Sequence, residues 1–138
     1  MIDGMGLAKG TKVLVTAGAS GIGRTIAETF EQAGAKIHIC DNSDIALEKC
    51  STDHPSWGVT KCDVSNPSEV DTLFDEVQKN LSGLDVLVNN AGIAGPTSPV
   101  HEMDIEDWNR TIEINLNGQF YCARRAVPML KASHNASM

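Results

Sequence analysis

Three glycines set close together constrain this chain more than any other feature. The apolar run Val13-Leu14-Val15 leads through Thr16 and Ala17 into Gly18, Gly21 and Gly23, and an amphipathic stretch follows. The pattern reads as a strand that turns sharply and opens into a helix. Glycine lets the backbone come very close to a neighbour. The helix N-terminus that follows offers unpaired N–H groups and a positive dipole end. Together they suit a phosphate or pyrophosphate, held near Gly18, Ser20, Gly21, Ile22 and Gly23. The place of the turn, after a strand and before a helix, sets it apart from an isolated glycine cluster.

The rest of the chain repeats the strand–helix alternation. Strand one is Lys12 to Thr16. Helix one starts near Gly21, carries Ile22, Ile26, Phe30 and Ala33 on one face, and stops at Gly34. Strand two is Lys36 to Cys40, ending at Asp41, and a short helix covers Ser43 to Cys50. Strand three is Gly58 to Cys62. Asn66, Pro67 and Glu69 then spell a helix start, with Asn66 as cap and Pro67 in the first position. Val70, Leu73, Phe74, Val77 and Leu81 form the apolar stripe of that helix, and Gly83 ends it. Strand four is Leu84 to Asn89, apolar on both faces at Val86-Leu87-Val88, as suits a doubly covered parallel strand. A loop with Gly92, Gly95, Pro96 and Pro99 precedes a last, long helix opening at Asp104. Its expected inner face is Trp108, Ile112, Leu116, Phe120, Ala123, Val127 and Leu130. The order β-α-β-α-β-α-β-α implies an α/β fold, a parallel sheet with helices on both faces. At 138 residues a single domain, 1–138, is expected.

Charge and cysteine usage narrow the function classes. The net charge is −7 with no basic run, which argues against nucleic acid or an anionic membrane as partner. Met1 to Gly10 lacks the apolar core of a signal peptide, and no apolar run has membrane-spanning length. Cys40, Cys50, Cys62 and Cys122 are widely spaced, without C-x-x-C, so a reducing, cytoplasmic setting is expected. His38, His54, His101 and His134 show no ligand spacing, and no metal site is expected.

Asp41 ends strand two, 18 positions after Gly23. In a dinucleotide-binding unit that place faces the adenosine ribose. A carboxylate there accepts from both ribose hydroxyls and repels a 2′-phosphate. At about 4 Å that repulsion is worth roughly 1–4 kcal/mol in wet surroundings, so NAD is expected over NADP. The bland alternative is that Asp41 caps the helix near Ser43.

Four motifs, in order, resemble the short-chain dehydrogenase/reductase family over essentially the whole chain from Leu7. They are Thr16-Ala-Gly-Ala-Ser-Gly-Ile-Gly23, Asp63-Val64, Asn89-Asn90-Ala91-Gly92 and Asn115-Leu-Asn-Gly-Gln-Phe120. The resemblance implies a Rossmann-type sheet of strand order 3-2-1-4. It places Asp63 and Val64 at the adenine and Asn90 at the cofactor ribose. Ala91 and Gly92 lie where the cofactor passes the backbone, and Asn89 is largely structural. It also implies that Asn115 helps hold a water that relays protons to the active site. Ala17 departs from the pattern, standing where the family has its first glycine. Either its methyl pushes the backbone off the pyrophosphate or Gly18 absorbs the turn, and a tolerated variant is expected.

The resemblance further implies a catalytic serine at the end of a fifth strand and a Tyr-x-x-x-Lys pair in the next helix. Neither is found before Met138, so the chain is expected to be truncated before strand five, a fragment holding the cofactor half. Strand four would then be an open edge. Tyr121, the only tyrosine, is followed by Arg125 at the right interval but lies on the helix of Asn115, and arginine titrates too high to serve as the lysine. The expected parent is an oxidoreductase moving a hydride between NAD(H) and an alcohol or carbonyl substrate. Such a parent would be a homodimer or homotetramer. A non-catalytic dinucleotide-binding module and a methyltransferase are the competing readings.

Overall fold

The computed structural model describes residues 6–138; the first five residues of the Met1 to Gly10 stretch lie outside them. The chain runs β1 (Lys12–Thr16), α1 (Gly21–Gln32), β2 (Lys36–Asp41), α2 (Asp44–Asp53), β3 (Gly58–Lys61), α3 (Pro67–Leu81) and β4 (Val86–Val88). Then come α4 (Ile105–Ile112), a π-helical turn (Glu113–Asn117) and α5 (Gly118–Lys131). The sheet is parallel throughout, in the order β3-β2-β1-β4.

Alternation along the strands splits the core in two. Leu14, Cys40 and Leu87 face α3 and α5, where Val70, Leu73, Phe74, Val77, Cys122 and Ala126 meet them. Val13, Val15, Ile37, Ile39 and Val86 face the other way, onto Ala27 of α1 and Leu47 and Cys50 of α2. All four cysteines are buried free thiols. The Cys62 hydrogen bond, then burial, pushes Cys40 well above its usual value, and burial pushes Cys122 up to about 12. Cys40 and Cys122 stay protonated, and all four pack as small hydrophobes.

The start of α3 forms as its residues dictate. Asn66 Oδ1 accepts from the N–H groups of Ser68 (3.0 Å) and Glu69 (3.3 Å), and Pro67 takes the first position. Glu69 reaches back past the cap to the Asp63 N–H, at 2.7 Å. The helix is capped by Ser82, left-handed at φ 56, one residue before the expected Gly83.

The expected inner face of the last helix is corrected. Trp108, Leu116 and Phe120 are 55, 61 and 61% exposed, and Ile22 of helix one is 76% exposed. The buried line is instead Ile114, Gly118, Cys122 and Ala126, with Leu130 buried as expected. There are two physical reasons. α4 buries none of its residues, so its apolar side chains have no layer beneath them. The π-turn then adds a residue per turn and shifts the phase of everything after it. Beyond it α5 lies so close to the sheet side that a Cβ on Gly118 would stand 2.7 Å from Val64 Cγ2. Small residues mark that contact, and a search for large apolar ones passes over them.

The outer edge of β4 is not wholly open. Ser137 donates to Asp85 O (2.9 Å) and accepts from the Leu87 N–H (3.1 Å), a parallel bridge at Val86. Beside it lies a groove of about 490 Å³ lined by Phe30, Val88, Asn89, Gln119 and Met138.

One buried polar side chain makes the fold acid-sensitive. His38, in β2, is fully buried, with Nε2 2.8 Å from Thr60 Oγ1. A Cβ on Gly58 would overlap its ring. Burial pushes the imidazole down to about 4, against the pull of Glu76. The folded value lies below that of the unfolded chain, so folding favours the neutral form. That contribution is present in full above about pH 6.5 and is lost as pH falls toward 4, about 3 kcal/mol in all. Urea unfolding at pH 7.5 and pH 4 is expected to show this loss. His38→Gln is expected to remove most of it, and an equal loss in the variant would place the sensitivity elsewhere.

Candidate functional site

The glycine turn joins β1 to α1, and its glycines do different work. A Cβ on Gly18 would lie 2.7 Å from Ile39 Cγ2 and 2.9 Å from Val15 O. Gly18 is therefore required by packing against β2. A Cβ on Gly23 would overlap the Ala17 carbonyl oxygen and stand 2.5 Å from Asn90 Nδ2. Gly21 differs, with φ +54 and no atom within 4 Å of a Cβ built on it. It leaves room on the side a ligand would approach.

Of the two alternatives at Ala17, absorption of the turn by Gly18 is not what the structure shows. The left-handed residue is Ala17 itself, at φ 50, whereas Gly18 has no positive φ. An alanine held there costs about 1–2 kcal/mol, and glycine returns part of that as unfolded-state entropy. Ala17→Gly is therefore expected to raise stability by about 1 kcal/mol, read as a higher melting temperature. A lower one would show that the methyl does something the turn needs.

The N-terminus of α1 is left without the usual side-chain partners. Ser20 stands at the cap in extended backbone, makes no side-chain cap hydrogen bond, and no acid occupies the first turn. α2, α3 and α4 each have a side-chain cap and an acid in the first turn. Only α1 presents its dipole and amides unneutralised among those four.

Thr16, outside the expected site set, staples the turn to the end of β4. Its Oγ1 accepts from the N–H groups of Asn90 (3.0 Å) and Ala91 (2.9 Å) and donates to Val88 O (3.3 Å). Asn90 Nδ2 donates to Thr16 O (3.0 Å) and Ala17 O (3.3 Å). The Asn90 amide thus buttresses the turn from behind. A threonine ending a buried strand is the sequence signal that could have found this staple.

Asp41 lies one strand away. Its Oδ2 accepts from the Ala19 N–H (3.3 Å) and its Oδ1 from the Ser43 N–H (3.1 Å). Ser43 caps α2 with its own side chain, which accepts from Ala46 N. The carboxylate joins turn to β2 and keeps a second lone pair on each oxygen.

Asp63 follows β3. Its Oδ1 accepts from the Ser65 N–H (3.0 Å) and Oγ–H (2.6 Å), and Oδ2 accepts from Arg110 Nη2 (2.8 Å). Burial works to raise this carboxyl, but the Ser65 and Arg110 hydrogen bonds outweigh it and hold it below its usual value. Val64 is buried.

Asn115 lies in the π-turn and fixes the loop after β4. Its Oδ1 accepts from the Ile93 N–H (2.8 Å) and its Nδ2 donates to Ile93 O (2.7 Å). Gly92 passes so near that a Cβ would stand 3.2 Å from Asn115 Oδ1. These segments enclose a cavity of about 120 Å³. Ala17, Asp41, Asp63, Val64, Ala91, Gly92 and Ile114 are among its walls. Tyr121 and Arg125 stand apart from it. Arg125 is spent on α3, binding Asp71 Oδ1 (2.6 Å) and Asp75 Oδ1 (2.9 Å), and Tyr121 packs against the core.

Known proteins share this sequence pattern. The chain matches the short chain dehydrogenase family over residues 11–138. It is 36% identical to the short chain dehydrogenase/reductase dpmpG of Macrophomina phaseolina, covering 88% of this chain and 72% of that one. It is 37% identical to 3beta-hydroxysteroid dehydrogenase 2 of Eggerthella lenta, covering 86% and 47%. Against a probable NADP-dependent mannitol dehydrogenase of Yarrowia lipolytica the identity is 34%, covering 89% and 46%. The chain thus spans about half the length of the last two. The chain belongs to the short chain dehydrogenase family, whose members are oxidoreductases.

Proposed function

We propose that residues 1–138 form a dinucleotide-binding domain of an oxidoreductase that moves a hydride between NAD(H) and an alcohol or carbonyl substrate. The observation that carries this is the unneutralised N-terminus of α1, beginning beside a cavity walled by two carboxylates. The residues present fit the group. The open side of Gly21, with the amides of Ile22 and Gly23 and the Ser20 hydroxyl, would take the pyrophosphate. Asp41 would take the adenosine ribose, and Asp63 and the Val64 backbone the adenine edge. Ala91 and Gly92 would line its path, with Asn90 bracing the turn near the ribose. The bound dinucleotide supplies the hydride chemistry, and the protein supplies position and proton.

The preference for NAD rests on Asp41, the carboxylate that would face the adenosine ribose and repel a 2′-phosphate there. The probable mannitol dehydrogenase from Yarrowia is named NADP-dependent, so the family does not decide it. Asn115 is the one member of the family's catalytic set in these residues. Its side chain ties the loop to the π-turn through Ile93 and keeps one N–H and one lone pair for the water that the family resemblance implies. The exposed line of Trp108, Leu116, Phe120 and Val127 supports pairing of the whole protein into a homodimer or homotetramer. The buried thiols support a reducing, cytoplasmic setting. Among the described residues no helix is long and apolar enough to cross a membrane.

A second reading, a dinucleotide-binding module without catalysis, rests on the α1 turn, Asp41 and Asp63, which bear on holding a cofactor and not on moving a proton. Incubating the purified chain with NADH and a panel of ketones, or NAD and secondary alcohols, tests the cofactor site and whether these residues alone turn over a substrate. Binding without turnover is expected. Turnover would show that these residues already hold a working acid/base.

A further inference from the structure

We infer that Arg110 is a positioning residue for the adenine end of the site, holding Asp63 so that the pocket accepts a purine bearing a 6-amino group and rejects one bearing a 6-oxo group. The inference rests on the dinucleotide reading above. It adds a residue on α4, outside every motif that marks the site.

The guanidinium is forked across two neighbours. Nη2 donates to Asp63 Oδ2 at 2.8 Å, and Nη1 donates to Ser65 Oγ at 2.7 Å. Ser65 Oγ in turn donates to Asp63 Oδ1 at 2.6 Å, and the Ser65 N–H adds a second bond to the same oxygen. A carboxylate offers about four lone-pair sites. Three are taken, both on Oδ1 and one on Oδ2, and the one left is on Oδ2. Asp63 also lines the cavity beside Val64 and Ile114. The group presented there is therefore a single, oriented, anionic acceptor. An exocyclic amino group fits it, whereas a carbonyl oxygen at the same place would meet like charge.

Arg110 supplies the part of this that Ser65 cannot. It anchors the oxygen whose lone pair is vacant, and its charge favours the ionised carboxylate. Lysine would keep the charge but lose the planar fork that spans Asp63 and Ser65. The pair is partly exposed, at 44% for Arg110 and 30% for Asp63. Its worth to stability is therefore small, and its effect should be read in binding.

The test compares NADH with the reduced nicotinamide hypoxanthine dinucleotide, which carries an oxo group in place of the amino group. Dissociation constants are measured by fluorescence titration for the chain, Arg110→Ala and Arg110→Lys, with thermal melting as a folding check. The unsubstituted chain is expected to prefer NADH by on the order of tenfold or more, the worth of one hydrogen bond to a charged group. Arg110→Ala should shrink that preference to about threefold or less, chiefly by weakening NADH, with Arg110→Lys between the two. A merely structural arginine would weaken both dinucleotides together and leave the ratio unchanged, overturning the assignment. If Arg110→Ala fails to fold, an unchanged ratio in Arg110→Lys overturns it equally. If the folded, unsubstituted chain binds neither dinucleotide, the cofactor reading itself falls, and Arg110 with it.

Discussion

Gly23→Ala is expected to abolish dinucleotide binding and to destabilise the fold by about 3 kcal/mol, the upper range for overpacking a tight contact. The added methyl would overlap the Ala17 carbonyl oxygen and press on Asn90 Nδ2. Neither neighbour can yield cheaply. Ala17 is already held at φ 50. Asn90 is fixed by bonds to Thr16 and Ala17 carbonyls. Either α1 moves away from β1 or the end of β4 does, and both displace the amides that would face a pyrophosphate. Gly21→Ala makes the useful contrast. It meets no atom and costs only the left-handed backbone, about 1–2 kcal/mol, so it should fold and bind more weakly. Urea unfolding and NADH titration of both variants check the pair. Equal behaviour would mean that the packing of Gly23 is not what holds the turn.

Asp41→Asn should change cofactor choice far more than stability. The carboxylate's bonds to the Ala19 and Ser43 N–H groups are 3.3 and 3.1 Å long, and the amide retains only one acceptor oxygen, so a loss of about 1 kcal/mol is expected. Removing the charge also removes the repulsion toward a 2′-phosphate. The ratio of NADH to NADPH affinity should fall by roughly fivefold to several hundredfold, the span set by about 1–4 kcal/mol of Coulomb energy. An unchanged ratio would remove Asp41 from the ribose and leave it a turn residue.

Much of this was legible because short-range rules and tertiary packing agreed. Apolar strands ending at Thr16, Asp41 and Asn89 point to a parallel sheet, and the family resemblance supplies its order. Asn66, Pro67 and Glu69 marked α3, since capping is a local matter. The last helix was misread because the two levels diverged. Its large apolar residues are periodic, yet the core chose Gly118, Cys122 and Ala126, where close approach matters more than side-chain size. The π-turn at Asn115 carries no periodic signature either. Ala17 stands out in the sequence as an irregular residue, but only the backbone shows it in the left-handed region. The Asp63–Arg110 pair spans 47 residues, a separation no local pattern reports.

The central claim is that the α1 turn and the two carboxylates form one dinucleotide site. Amide chemical-shift mapping of the labelled chain, titrated first with NADH and then separately with S-adenosylmethionine, tests it most directly. NADH is expected to shift Gly21, Ile22, Gly23, Asp41, Val64 and Gly92 together, with one dissociation constant, and S-adenosylmethionine to shift none of them. Shifts with S-adenosylmethionine and none with NADH would contradict the claim and restore the methyltransferase reading.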